Sequence, residues 1–315
     1  MKTYADDGYW LRYQPLFPAP MRSTPQTAPE ESWWPWRGHT IHVDRLRGTK
    51  PIRVLLIHGG GGNGRMLLPA GRLLADAGYD VVAPDLPGFG MTVVDPRARV
   101  TYRDWIACLH DFARFLSHED PRPLVAFGMS IGGLSAYNLA AEAPNVLGAI
   151  ATMLNDPRIP DVRRAFARSP ATVGLSNALL QLARPLTDRV RLPMRWFSNL
   201  GTIANDPRMV EVIEHDPSVG GARMQLGFLR TLLNTPFSVE PEDYAGGPLL
   251  VVHPQDDRWT PPGLSQRFIE RIPGDTSFVE LRGCGHFPLE EPGVTQMREA
   301  VLDFLARLAL ENNLA

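Results

Sequence analysis

Lysine is nearly missing from this chain: the 32 basic residues include only Lys2 and Lys50, and the other thirty are arginines. Arginine stays charged and makes fixed, forked ion pairs, so these residues suit structural pairing. Net charge is scarce as well. A formal value of −2 gives no electrostatic basis for binding nucleic acid or an anionic membrane. Two cysteines, Cys108 and Cys284, cannot build a disulfide framework. Their apolar neighbours favour small buried hydrophobes over a bridge. No uncharged apolar run reaches the roughly 18 residues that a membrane-spanning helix needs. The opening MKTYADDGYW lacks the apolar stretch of a signal peptide. The expectation is a soluble cytoplasmic protein. Internal repeats and low-complexity tracts are missing too, which excludes a solenoid.

What is present has ordinary globular proportions. The 315 residues are 44% hydrophobic, enough for one large α/β domain with an insertion. Residues 1–38 are rich in proline and aromatic rings and read as an irregular arm that covers apolar surface. HTIHVDRL (39–46) alternates apolar and polar residues, as a half-buried strand does. IRVLLIH (52–58), DVVAPD (80–85), PLVAFGMS (123–130) and VLGAIATML (146–154) read as buried strands. RMLLPAGRLLADAG reads as a helix stopped at Gly78, and Trp105, Leu109, Phe112 and Leu116 recur at helical spacing in the next one. PLLVVHP, GLSQRFIERI, SFVEL and VTQMREAVLDFLARLALE continue the alternation to the end. Such alternation predicts a mostly parallel sheet with helices on both faces, built from 39–154 and 246–315. Residues 155–245 break the alternation and read as a helical insertion, a candidate cap.

The stretch LLIHGGGGNGRM (55–66) admits three readings, because bare glycine backbone approaches any anion closely. Gly59, Gly61 and Gly64 fit the dinucleotide pattern G-x-G-x-x-G, with Asp85 at the end of the next strand as the ribose ligand. Gly59 and Gly64 also begin a Walker loop, but Arg65 and Met66 stand where Lys and Ser/Thr hold phosphate and Mg²⁺. The third reading is a loop whose N–H groups face a developing oxyanion.

Residues further along decide among these. GMSIGG (128–133) contains G-x-S-x-G around Ser130. A chance match is expected in roughly one of ten chains of this composition, so position matters more than the match. The motif joins a strand to a helix, where a strained turn lifts a serine hydroxyl above the sheet. A serine nucleophile needs a base, and the base needs an orienting carboxylate. After Ser130 come Asp256 and Asp257 just past one strand, then His286 in a glycine-flanked loop past the next. Ser, acid, His is the chain order for this architecture, and all of them fall at the C-terminal strand edge where open α/β sheets bind ligands.

Taken together, HGGGG (58–62), PDLPGFG (84–90), GMSIGG (128–133), HPQDDRWTP (253–261) and GCGHFPLEEP (283–292) resemble the α/β-hydrolase fold family over residues 39–311. The resemblance is to its serine carboxylesterases and lipases. It implies an oxyanion hole from the N–H groups of Gly60, joined by Gly61, and Ile131. It also implies a Ser130–His286–Asp257 triad. In the family frame G-x-x-D-x-x-x-P, Asp257 and Pro261 match, but Pro254 replaces the glycine, so Asp256 stays as the alternative acid. Asp85 becomes a structural turn residue rather than a ribose ligand. The implied activity is hydrolysis of a small-molecule ester through an acyl-enzyme, with no cofactor or metal.

C–C bond hydrolases, lactonases and perhydrolases share the triad, and a hydrolase-fold binding protein without turnover is the alternative of another class. Proline aminopeptidase is disfavoured because HGGGG lacks the proline of H-G-G-P-G. Within the insertion, Met194, Trp196, Phe197, Met209, Met224, Phe228 and Phe237 either line an acyl or alcohol site or glue the insertion to the body.

Overall fold

The computed structural model describes residues 1–8, 10–167, 181–182, 184–196 and 198–314. The strands are β1 (Glu30–Trp36), β2 (His39–Leu46), β3 (Arg53–Ile57), β4 (Asp80–Pro84), β5 (Leu124–Gly128), β6 (Val146–Ala151), β7 (Arg191–Pro193), β8 (Arg223–Gln225), β9 (Leu249–Pro254) and β10 (Thr276–Leu281). Eight of them form one sheet in the order β1-β2-β4-β3-β5-β6-β9-β10. From β4 to β10 every pairing is parallel, while β1–β2 and β2–β4 are antiparallel. The expected mostly parallel sheet is therefore present. Every residue of β3, β4 and β5 is buried, as their near-continuous apolar runs require for strands covered on both faces.

Helices α1 (Gly64–Asp76), α2 (Tyr102–Glu119) and α3 (Ile131–Glu142) connect the central strands. Helix α1 and the closing helix Gly293–Glu311 share one apolar cluster on one face. Helices α2 and α3 share the other, where Trp105, Leu109, Phe112 and Leu116 are all buried as their spacing predicts. Thr101 and Asp104 close α2 with a reciprocal capping box, and Gly78 follows α1 at φ 92°. Both cysteines are free and buried.

The N-terminal region departs from its expected irregularity in one place. Glu30–Trp36 pairs along its whole length with β2. Pro35 hides this strand in the sequence, yet an edge strand tolerates proline because one row of its N–H groups has no ladder to serve. Ahead of it, short 3-10 turns bury Trp10, Tyr13, Phe17 and Met21 against α1 and the body.

The arm also changes the meaning of β2. Its alternating polar residues, His42 and Asp44, are fully buried rather than solvated. Arg65 of α1 pairs with Asp44 at 2.7 Å and with Glu31 of β1 at 3.1 Å. His42 lies 2.9 Å from Glu31 and 3.1 Å from Asp85, and the Tyr4 hydroxyl donates to Asp85. Burial by itself lowers the His42 pKa, but hydrogen bonding to Asp85 and Glu31 and the charges of Asp85 and Asp44 raise it to about 9. A folded-state pKa above the ordinary 6.5 contributes stability that is complete below pH 6.5 and lost as pH rises through about 9. Burial lifts Asp44 to about 6 despite Arg65, so its own titration lies below that window. We expect His42→Gln to lose up to about 3 kcal/mol of unfolding free energy near pH 6.5, the gap narrowing by pH 10. Urea unfolding of both proteins across pH 6.5–10 checks this; a gap independent of pH contradicts it.

Candidate active site

Strand β5 ends at Gly128 and α3 begins at Ile131, which leaves Met129 and Ser130 to reverse the chain. Ser130 takes φ 55° and ψ −129°, a left-handed conformation that costs a non-glycine residue roughly 1–3 kcal/mol. The surroundings enforce it. Met129 N–H donates to Ile57 O and Ser130 N–H to Thr152 Oγ1. A Cβ at Gly128 would lie 2.0 Å from Gly132 O, and one at Gly132 would lie 2.0 Å from Ile57 O. Both glycines of the motif are thus demanded by close backbone approach. The turn places Ser130, half-buried, on the edge of a pocket at the C-terminal ends of the strands. Ile131 is the first residue of α3, so its N–H has no intrahelical acceptor.

The glycine loop passes directly over this turn. A Cβ on Gly59 would sit 3.4 Å from Ser130 Oγ, and one on Gly60 would sit 3.2 Å from the Ile131 side chain. His58 anchors the loop. Leu86 N–H donates to its Nε2 at 2.9 Å, so the proton lies on Nδ1 and is donated to Gly59 O at 2.8 Å. Burial lowers the His58 pKa, consistent with that neutral tautomer.

The dinucleotide reading loses its acid here. Asp85 accepts from Gly64 N–H at 2.6 Å and Met91 N–H at 2.7 Å, so it ties the loop to the next turn. Arg65, the Walker-position residue, is committed to Asp44 and Glu31. By residue type Glu31, His42 and Asp44 could hold a metal, with ligand atoms within 4.8 Å of one another. The Arg65 guanidinium supplies the positive charge to that cluster.

Past β9, Asp257 turns inward and is buried, while Asp256 is exposed. Asp257 Oδ1 accepts from the N–H groups of Trp259 and Thr260, each at 2.8 Å. Its Oδ2 accepts from Thr260 Oγ1 at 2.7 Å and meets His286 Nδ1 at 2.8 Å. Burial by itself raises the Asp257 pKa. The facing His286 charge, the nearby His253 imidazole and the hydrogen bonds from His286 and Thr260 outweigh it and hold the carboxyl well below the usual range. Of the two candidate acids, the structure brings Asp257 to His286.

Sequence reasoning did not single out His253. It is fully buried with Nε2 3.6 Å from Asp257 Oδ2 and 2.8 Å from Thr260 O, and it backs the carboxylate from behind. A histidine at the end of an otherwise apolar buried strand, four residues before the acid, is the signal that could have found it.

His286 and Ser130 face one pocket of about 610 Å³, measured out to its open mouth. The Trp259 ring lies 4.8 Å from that of His286. Met66, Leu67, Leu200, Ile203, Ile213 and Phe287 make the walls apolar, and among the described residues the lining includes no Lys or Arg. Of the aromatic and Met residues of the insertion that either line this space or glue the insertion to the body, none that the structure describes is in the lining. Met224, Phe228 and Phe237 pack in the cluster over α2 and α3, and Met209 is buried in the other cluster. Trp196 is exposed, and Phe197 lies outside the described residues. Met194 meets Gly61 from above. From the insertion, Leu200, Ile203, Val219 and Ile213 of the helix Pro207–His215 enter the lining, beside Met66, Trp259 and Phe287 of the body.

Comparison with known proteins agrees with this architecture. The model of the "Alpha/beta hydrolase family" matches residues 54–299, and the chain belongs to that family. A thermostable monoacylglycerol lipase of Bacillus sp. (strain H-257) is 25% identical over 260 residues, covering 82% of this chain and 92% of that protein. A 2-hydroxy-6-oxo-6-(2'-aminophenyl)hexa-2,4-dienoic acid hydrolase of Metapseudomonas resinovorans is 26% identical over 289 residues, covering 85% and 89%. The crystal structure of a soluble variant of monoglyceride lipase from Saccharomyces cerevisiae shares the fold with a TM-score of 0.74 at 19% identity, covering 93% and 98%. Among the described residues, no helix is long and apolar enough to cross a membrane.

Proposed function

We propose that this chain is a serine hydrolase of carboxylic esters. Ser130 is the nucleophile, His286 the general base and acid, and Asp257 the orienting carboxylate. The observation that carries the reading is the 2.8 Å Asp257–His286 contact facing the same pocket as the strained Ser130 turn. With its Nδ1 proton held by Asp257, the His286 imidazole offers Nε2 to the Ser130 hydroxyl. Ser130 Oγ then attacks the ester carbonyl. The N–H groups of Gly60 and Ile131 receive the oxyanion, a contribution of about 3–4 kcal/mol per donor. The alkoxide leaves with the proton from His286. Water, activated by the same imidazole, then attacks the acyl-enzyme and releases the acid.

The described residues of the 155–245 insertion serve as the cap, with Leu200, Ile203, Ile213 and Val219 forming the acyl-binding wall. The apolar lining and the monoacylglycerol lipases among the relatives favour esters of apolar acids with small alcohols. The Metapseudomonas relative, named for a dienoic acid, supports a second reading, C–C bond hydrolysis. A carboxylate-bearing substrate is poorly served by a lining that holds no Lys or Arg among the described residues. Initial rates on p-nitrophenyl esters from acetate to palmitate test the choice. The expected profile rises from acetate as the acyl group fills the apolar wall. No turnover on any of these esters would overturn ester hydrolysis in favour of the C–C or lactone chemistry.

A further inference from the structure

The N-terminal arm reaches each of the three parts that meet at the pocket. We propose that Tyr13 is a positioning residue that sets the acyl wall of the pocket, an inference that rests on the ester-hydrolase reading above. Its hydroxyl donates to Asp216 Oδ2 at 2.7 Å, across 203 residues of sequence. Tyr13 is 1% exposed and Asp216 4%, so water does not compete for this bond. Asp216 organises the turn after the helix Pro207–His215. Its Oδ1 accepts from the N–H and hydroxyl of Ser218, both at 2.7 Å, and its backbone carbonyl accepts from Gly221 N–H at 2.8 Å.

That turn carries the chemistry-facing surface. Val219 within it and Ile213 just before it line the pocket. Gly220 O and Ala222 O accept from the N–H groups of Arg195 and Met194, and Met194 packs on Gly61 of the glycine loop. The same stretch of arm braces the opposite side. Phe17 stacks on Tyr13 and meets edge-on, at 6.3 Å, the ring of Phe287, the residue that follows His286. Trp10 packs at a tilt against both and covers the Arg65 guanidinium at the start of α1.

A buried carboxylate with three side-chain and backbone donors holds one turn geometry. Removing the tyrosine donor leaves Asp216 under-satisfied, and the turn relaxes toward other arrangements. The reacting groups themselves sit in the turns that follow β5, β9 and β10, outside the turn that Asp216 organises. The arm therefore acts on how the acyl group is received rather than on the bond that breaks.

The experiment compares Tyr13→Phe with the wild type in two measurements. Kinetics on p-nitrophenyl acetate and p-nitrophenyl octanoate should leave kcat within about twofold for both, while KM for octanoate rises roughly five- to tenfold and KM for acetate stays put. A stability defect alone would not split KM from kcat by chain length. Hydrogen exchange should show faster exchange in 216–222 and unchanged protection in α3. Superimposable kinetics, or equal exchange in the turn, overturns the proposal. If the wild type turns over neither ester, the ester reading fails by itself, and the exchange result alone decides the role of Tyr13.

Discussion

Ser130→Ala lowers kcat on the best p-nitrophenyl ester by between roughly 10⁴- and 10⁶-fold, with KM little changed. The size follows from what the hydroxyl does. Without it no acyl-enzyme forms, and only direct attack of water beside the remaining oxyanion donors is left. The fold should survive. Alanine keeps the Cβ that the φ 55° turn already accommodates, and the backbone bonds from Met129, Ser130, Gly132 and Gly133 remain available. Circular dichroism and the melting temperature should therefore match the wild type within a few degrees. Near-wild-type turnover in this variant would remove Ser130 from the mechanism.

Asp257→Asn should cost about 10⁴-fold in kcat, while Asp256→Asn stays within about twofold. The geometry of Asp257 dictates the loss. Its Oδ1 accepts two backbone N–H groups, so an asparagine would keep its carbonyl oxygen there. The amide NH₂ would then replace Oδ2 and face His286 Nδ1. That arrangement favours the imidazole tautomer with the proton on Nε2, which cannot accept from Ser130. The lost acceptor for Thr260 Oγ1 adds a structural cost, so the measurement should include a melting curve. Asp256 is exposed beside it and serves as the control. Equal losses in the two variants would refute the assignment of the acid.

Much of this was readable from residue order. The alternation of strands and helices, the G-x-S-x-G turn and the glycine-flanked His286 each have a local cause: periodicity, close backbone approach, or position at a strand end. The choice between Asp256 and Asp257 was not local. Adjacent residues point to opposite sides of a turn, and burial beneath Thr260 and His286 separates them. Other features depend on partners far away in the chain. The polar face of β2 is buried because Arg65, Glu31 and Tyr4 converge on it from three segments. Alternation along β2 alone reads as a solvated face. The pocket walls were missed for a related reason. Aromatic rings attract attention as ligand contacts, but Phe228 packs 4.7 Å from Trp105 in the body. From the insertion, that leaves Leu200, Ile203, Ile213 and Val219, ordinary in any sequence, to line the site.

Labelling with an alkyl fluorophosphonate, followed by peptide mass spectrometry, tests the nucleophile most directly. A single adduct should map to Ser130, with labelling slowed strongly in His286→Ala and lost in Ser130→Ala. An unmodified Ser130 in the wild type, or an adduct on another residue that persists in Ser130→Ala, would contradict a Ser130 acyl-enzyme.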